Sequence, residues 1–160
     1  MYVSMAAPGA VLDTQAAATM ISQYRQNNGL GTVVVDRAEM VAFARRFDPQ
    51  PFHVDEEAGR KSIFGKLSAS GWFTAGLWMR LYVDEVLNKA LSLGSPGGEE
   101  LVWPVPVYAG DELRASMEVL EARRSRRRPG LGLVKLRARM HRGDVLVYHS
   151  TFTGMFGTRE

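Results

Sequence analysis

The stretch Ser70-Gly71-Trp72-Phe73-Thr74-Ala75-Gly76-Leu77-Trp78-Met79-Arg80-Leu81-Tyr82-Val83-Asp84-Glu85-Val86-Leu87-Asn88-Lys89 decides the fold. Ser70 is a helix N-cap, a position where a hydroxyl accepts from an early backbone N–H. Phe73, Leu77, Arg80, Leu81 and Asp84 follow helical spacing, while Trp72, Ala75, Met79, Val83 and Val86 form a second apolar side. A helix apolar on more than one side is a buried one. Roughly 19 residues would span about 28 Å, enough for a central helix. A Gly/Ser/Pro break from Leu93 to Gly98 ends it. Downstream the period changes to two. Leu101 to Tyr108, Glu112 to Arg123, Leu131 to His141 and Val145 to Phe156 read as antiparallel strands, with turns at Ala109-Gly110-Asp111, Arg128-Pro129-Gly130 and Arg142-Gly143-Asp144. Upstream, Gly31 to Val35 reads as a strand, and Asp36 with Glu39 marks a capping box for a helix over Arg37 to Arg46. That helix turns Met40, Val41, Ala44 and Phe47 to one face and stops before Pro49. A loop from Asp48 to Val54 follows, then a short helix, Glu56 to Lys61, capped by Asp55. A strand, helices and a four-strand meander imply an α+β fold, a curved antiparallel sheet wrapped around one helix.

The chain has 160 residues, 46% of them hydrophobic, which fits one domain with a sizeable core. Residues 21–160 read as that domain and residues 1–20 as a loose N-terminal extension. Met1 to Ala18 has no positive n-region, and Pro8, Gly9 and Asp13 interrupt its apolar residues, so it does not read as a signal peptide. The absence of cysteine excludes disulfides, thiolate nucleophiles and Cys-ligated zinc, and suits a cytoplasmic location. No apolar run approaches the roughly 18 residues of a membrane span. The net charge of +3 comes mostly from Arg123-Arg124-Ser125-Arg126-Arg127-Arg128. That run reads either as a solvated hairpin tip or, through Arg126, Arg127 and Arg128, as an attractor for the phosphates of coenzyme A or an acidic carrier surface. It lacks the interleaved aromatics or reading helix of a nucleic-acid interface, so neither nucleic acid nor membrane is expected as a partner.

Chemistry concentrates in Phe47-Asp48-Pro49-Gln50-Pro51-Phe52-His53-Val54-Asp55. Two prolines stiffen a loop that carries a carboxylate and an imidazole five positions apart. Spacing alone is equally consistent with a proline-rich turn carrying a surface Asp and a packed His. The segment Phe64-Gly65-Lys66-Leu67-Ser68-Ala69-Ser70-Gly71-Trp72 then leads into the long helix. Gly71 falls in the first turn, where backbone N–H groups lack helical partners and can hold a developing oxyanion. A tight junction that simply needs small residues would look the same. His141 and His149 lie on strand patterns without a paired ligand motif and read as structural; no metal site is expected.

Together these segments resemble the MaoC-like dehydratase family, which includes the (R)-specific enoyl-CoA hydratases. The family pattern Asp-x-Asn-Pro-x-His-x-Asp stands here as Asp48-Pro49-Gln50-Pro51-Phe52-His53-Val54-Asp55. Its Phe-Gly and His-Gly pairs stand as Phe64-Gly65 and Ser70-Gly71, and its "PV-x-x-GD" segment lies in Pro104 to Leu113. Gln50 replaces the usual Asn, and Ser70 the usual His. The resemblance implies a hotdog fold, a homodimer or dimer of dimers, and water addition to a trans-2-enoyl thioester giving an R-configured 3-hydroxyacyl product. Asp48 and His53 would activate one water and Gly71 N–H, next to Ser70, would stabilise the thioester oxyanion. Gln50, Phe52, Phe64, Gly65, Trp72 and Met79 would support the loop or line the pocket. No metal or redox cofactor is implied; coenzyme A, or an acyl carrier protein, would carry the substrate. A hotdog thioesterase and a non-catalytic acyl-CoA-binding module are the alternatives.

Overall fold

The computed structural model describes residues 29–158; the expected extension over residues 1–20 lies outside them. Strand β1 (Gly31–Val34) leads into helix α1 (Arg37–Phe47), the short helices α2 (Pro51–Val54) and α3 (Glu56–Lys61), and the long helix α4 (Gly71–Glu85). A 3₁₀ turn (Leu87–Lys89) follows, then strands β2 (Gly97–Val102), β3 (Glu112–Arg124), β4 (Leu131–Arg142) and β5 (Val145–Gly157). The five strands form one antiparallel sheet in the order β1-β3-β4-β5-β2. The fold is α+β with the sheet curved around α4, the hotdog arrangement.

Local chemistry sets the element boundaries. Asp36 accepts from Glu39 N at 2.8 Å and Asp55 from Ala58 N at 2.8 Å, each satisfying a donor that its helix leaves without a partner. Alternation along β4 turns Gly132, Val134, Leu136, Ala138 and Met140 inward. Opposite them, α4 buries Phe73, Thr74, Trp78 and Tyr82. Trp78 is 1% exposed, stacks on Tyr82 at 4.9 Å, meets Phe152 edge-on, and donates its indole N–H to Ser116 O at 3.1 Å. The helix is thus pinned to the sheet by a large apolar surface in which the indole N–H of Trp78 has a partner and the buried Tyr82 hydroxyl has none among the described residues. Irregular register in β3 between Val119 and Glu121, and between β4 and β5 near Met140, adds the bend a wrapped sheet needs.

Five expectations are corrected. The strand expected over Leu101 to Tyr108 lies at Gly97–Val102, because Pro104 and Pro106 lack the N–H that a ladder requires, and residues expected to be a break begin it. The four last strands are not a meander: β2 pairs with β5 at the far edge, and only β3, β4 and β5 are consecutive neighbours. The long helix stops at Glu85 and tightens into the 3₁₀ turn. Its buried face follows Phe73, Trp78 and Tyr82, whereas Arg80 lies on the surface, paired with Asp84, and Met79 is 44% exposed. The expected loop between Asp48 and Val54 also closes into a helical turn that Pro51 opens, a position where its missing N–H costs nothing. No helix among the described residues is long and apolar enough to cross a membrane.

Candidate active site

Asp48 is the C-cap of α1, its backbone N–H bonded to Ala44 O at 2.9 Å. Pro49 and Gln50 then turn the chain, and α2 begins at Pro51. One helical turn brings His53 back towards Asp48. The imidazole is 6% exposed, and its Nδ1 lies 2.8 Å from Ser68 O and 3.2 Å from Ser68 Oγ. A carbonyl can only accept, so Nδ1 is the protonated nitrogen and donates to it. In the neutral ring Nε2 is then a bare lone pair, and it faces Asp48 Oδ2 at 3.5 Å. That separation exceeds a direct N–H···O bond, so both groups can address a third atom between them.

The carboxylate is held from two sides. Gln50 Nε2 donates to Oδ1 at 2.8 Å, and Ser70 Oγ donates to Oδ2 at 2.7 Å. Ser70 Oγ also accepts from Trp72 N at 3.3 Å, so one hydroxyl caps α4 and orients the acid. Partial burial pushes the Asp48 carboxyl up, but the hydrogen bonds from Ser70 and Gln50 and the neighbouring His53 together outweigh it and hold the group below its ordinary value. The two residues that depart from the family pattern, Gln50 and Ser70, are therefore the two that hold Asp48.

Asp48, Gln50 and His53 line a cavity of about 450 Å³, whereas Ser70, expected to bind substrate, is fully buried and does not line it. Phe52 and Phe64 form part of its wall, contact each other at 5.2 Å, and lie 4.6 and 6.2 Å from the His53 ring. Gly71, which opens α4, also lines the cavity, against the indole of Trp103. A Cβ on Gly71 would lie 2.6 Å from Trp103 Cε2. Trp72 lines the cavity too, 57% exposed and edge-on to Trp103 at 5.3 Å.

Not every expected residue gathers here. Gly65 sits in a turn with φ of 71°, and Met79 projects to the surface; neither lines the cavity. Arg126, Arg127 and Arg128 occupy the turn between β3 and β4, at the end of β4 remote from the cavity. The 12 residues of β4 separate that turn from the rim, a distance on the order of 35 Å. Of the other imidazoles, His149 pairs with Glu100 at 3.5 Å, and burial with the nearby Arg114 and Arg139 pushes His141 below its ordinary value; neither lines the cavity. Conversely, Trp103, Pro104, Val105, Pro106 and Val107 all line it. The signal for them was the alternate-proline pattern, which denies a strand and gives a rigid extended wall.

The chain carries the MaoC like domain over residues 3–138 and belongs to that family. It is 32% identical over 102 residues, 64% of its length, to the uncharacterized protein YdeM of Bacillus subtilis, covering 72% of that protein. It is also similar to the MaoC-like dehydratase of Rhodospirillum rubrum, with 40% identity, a TM-score of 0.72, and coverage of 81% of this chain and 89% of that one. The HadBC (3R-hydroxyacyl-ACP dehydratase) complex of Mycobacterium tuberculosis matches with 26% identity and a TM-score of 0.62 over 78% of this chain and 90% of that one. The (R)-hydratase of A. caviae shares the fold at 24% identity, with a TM-score of 0.58 over 78% and 89% of the two chains.

Proposed function

We propose that the protein is a hydratase/dehydratase that reversibly adds water to a trans-2-enoyl thioester, with coenzyme A as carrier and an R-configured 3-hydroxyacyl thioester as product. The observation that carries this reading is the convergence of His53 Nε2 and Asp48 Oδ2, 3.5 Å apart, on one point of the cavity. A water there would be gripped by an acceptor on each side. As the water oxygen bonds to the β-carbon, His53 accepts one of its protons at Nε2 and Asp48 orients the other. The α-carbon, which gains the electron pair of the broken π bond, takes the proton back from the same side. In the transition state the charge lies largely on the thioester oxygen, where the Gly71 N–H and the positive end of α4 oppose it. Proton transfer and oxyanion stabilisation complete the chemistry, so the reaction as proposed needs no metal or redox cofactor.

Family membership and the hydroxyacyl-ACP dehydratase named among the similar structures support the reaction class. Crotonyl-CoA hydration, followed as loss of enoyl thioester absorbance, is the test: turnover is expected, and hydrolysis to free thiol without hydration would favour a thioesterase instead. We further propose that the chain works as a dimer. Edge strand β2 leaves Gly97 to Leu101 exposed and its outer backbone groups available to a second copy, an arrangement that natural sheets otherwise protect. Light scattering at micromolar concentration should give twice the chain mass or a multiple of it; a monomer would sink the assembly.

A further inference from the structure

We propose that Lys66 is the phosphate-binding group of the site and engages a phosphate of the thioester carrier at the cavity rim. The inference rests on the acyl-thioester reading above. The carrier requires a cation near the cavity, and the arginine run lies at the wrong end of the sheet. Next to the wall residue Val107, Tyr108 donates its hydroxyl to the carbonyl of Phe64, another wall residue, at 2.8 Å. The face of the same ring holds Lys66 Nζ at 4.0 Å, a cation–π contact that positions the ammonium without neutralising it.

The second cation beside that ring behaves differently. Arg142 lies 6.0 Å from the Tyr108 centroid, and donates to Asp111 Oδ2 at 2.6 Å and to the carbonyl of the wall residue Pro106 at 3.2 Å. Asp111 therefore cancels its charge. Lys66 makes no ion pair among the described residues, is exposed, and follows Phe64 by two positions. Of the two cations beside the Tyr108 ring, Lys66 is the one without a carboxylate partner among the described residues. An uncancelled ammonium, fixed on an aromatic face and tied through Tyr108 to the cavity wall, suits the singly attached phosphate of a pantetheine arm, for which lysine serves as a point charge.

Calorimetric titration of the full chain with pantetheine, 4′-phosphopantetheine and coenzyme A tests the assignment and separates the possible phosphates. The parent should bind phosphopantetheine about fivefold more tightly than pantetheine at low salt, with the preference shrinking as salt rises. Lys66→Ser should erase that preference and leave pantetheine binding unchanged, and Lys66→Arg should retain it. If the preference emerges only with coenzyme A, and Lys66→Ser erases it, the phosphate engaged is on the nucleotide. No preference in the parent, or one that survives Lys66→Ser, overturns the proposal. Because binding is read directly, a parent that prefers the phosphorylated arm but does not hydrate crotonyl-CoA would sink the hydratase reading alone.

Discussion

The loops from Asp48 to Gly71 and the turn from Arg123 to Arg128 are the two most chemically conspicuous stretches of the sequence, and the structure treats them oppositely. In the first, the candidate catalytic pair is shielded and tied: Asp48 to Gln50 and Ser70, His53 to Ser68. In the second, Arg126, Arg127 and Arg128 stand in solvent, on a turn where Ser125 Oγ accepts from the backbone of Arg127 and Arg128. The difference shows that density of charge is a poor guide to a site. What marks one is charge held in a fixed direction beside a cavity. Breaking the ties in the first region should change chemistry, and removing the charges from the second should change little.

The largest effect should come from the pair itself. Asp48→Asn and His53→Ala should each lower hydration of crotonyl-CoA by about 10²–10⁴-fold while the circular dichroism spectrum persists. The double variant should be little worse than either single one, because both groups act on one water. Near-parental turnover in either variant would remove the mechanism.

Next in size is the contact between Gly71 and Trp103. An added methyl at Gly71 meets the indole at 2.6 Å, so the ring must swing out or the wall must shift. Gly71→Ala should destabilise the fold by about 1–3 kcal/mol in urea titration and depress turnover. Trp103→Ala removes the obstruction, so Gly71→Ala should be tolerated better in that background. Strictly additive effects would mean that the two residues do not press on each other in solution.

Ser70→Ala should act more gently and in a pH-dependent way. Asp48 must be ionised to orient water, and its depressed value keeps it so below the ordinary carboxylate range. Removing the hydroxyl raises the folded value, so the acid limb of kcat/KM should move to higher pH. The same shift has a stability counterpart. A carboxyl depressed in the folded state contributes stability above its unfolded value of about 3.9, and that stability is lost as pH falls through the folded value. The variant should therefore lose about 1–3 kcal/mol near neutrality, the loss of the helix cap included, and the gap should narrow in acid. An unmoved acid limb would show that Asp48 does not set it.

Much of this architecture was legible because its determinants are local. The caps at Asp36, Asp55 and Ser70, the turn at Gly110-Asp111 and the alternation of β4 are decided within a few residues. The pairing of Asp48 with His53 came from the family resemblance; spacing alone left it open, and the helical turn opened by Pro51 that brings them together was read as a loop. What escaped depends on partners distant in sequence. The edge position of β2 follows from pairing with β5, about fifty residues later. The bond from Ser70 to Asp48 crosses 22 positions, and nothing in either segment alone specifies it. Trp103 to Val107 were read by period alone; the prolines carried the opposite message, and the wall they build exists only because the sheet brings them back over Gly71.

The smallest effect is expected where the sequence is most charged. Replacing Arg126, Arg127 and Arg128 with Ser removes three like charges from a solvated turn, which relieves mutual repulsion and breaks no ion pair among the described residues. Stability should stay within about 0.5 kcal/mol of the parent. Sequence alone allowed these residues a role in holding a phosphorylated carrier, and that role predicts a higher KM for acyl-CoA at low salt. Their place at the far end of β4 argues otherwise, because on the order of 35 Å of sheet separates them from the rim, several times the roughly 8 Å over which charge acts at physiological ionic strength. The KM of the triple variant should therefore match the parent at both low and high salt, whereas Lys66→Ser should raise it at low salt. A rise in the triple variant at low salt that vanishes at high salt would break the contrast. It would require a second copy to carry this turn to the cavity rim of the first, which a salt-dependent KM together with the mass from light scattering would establish.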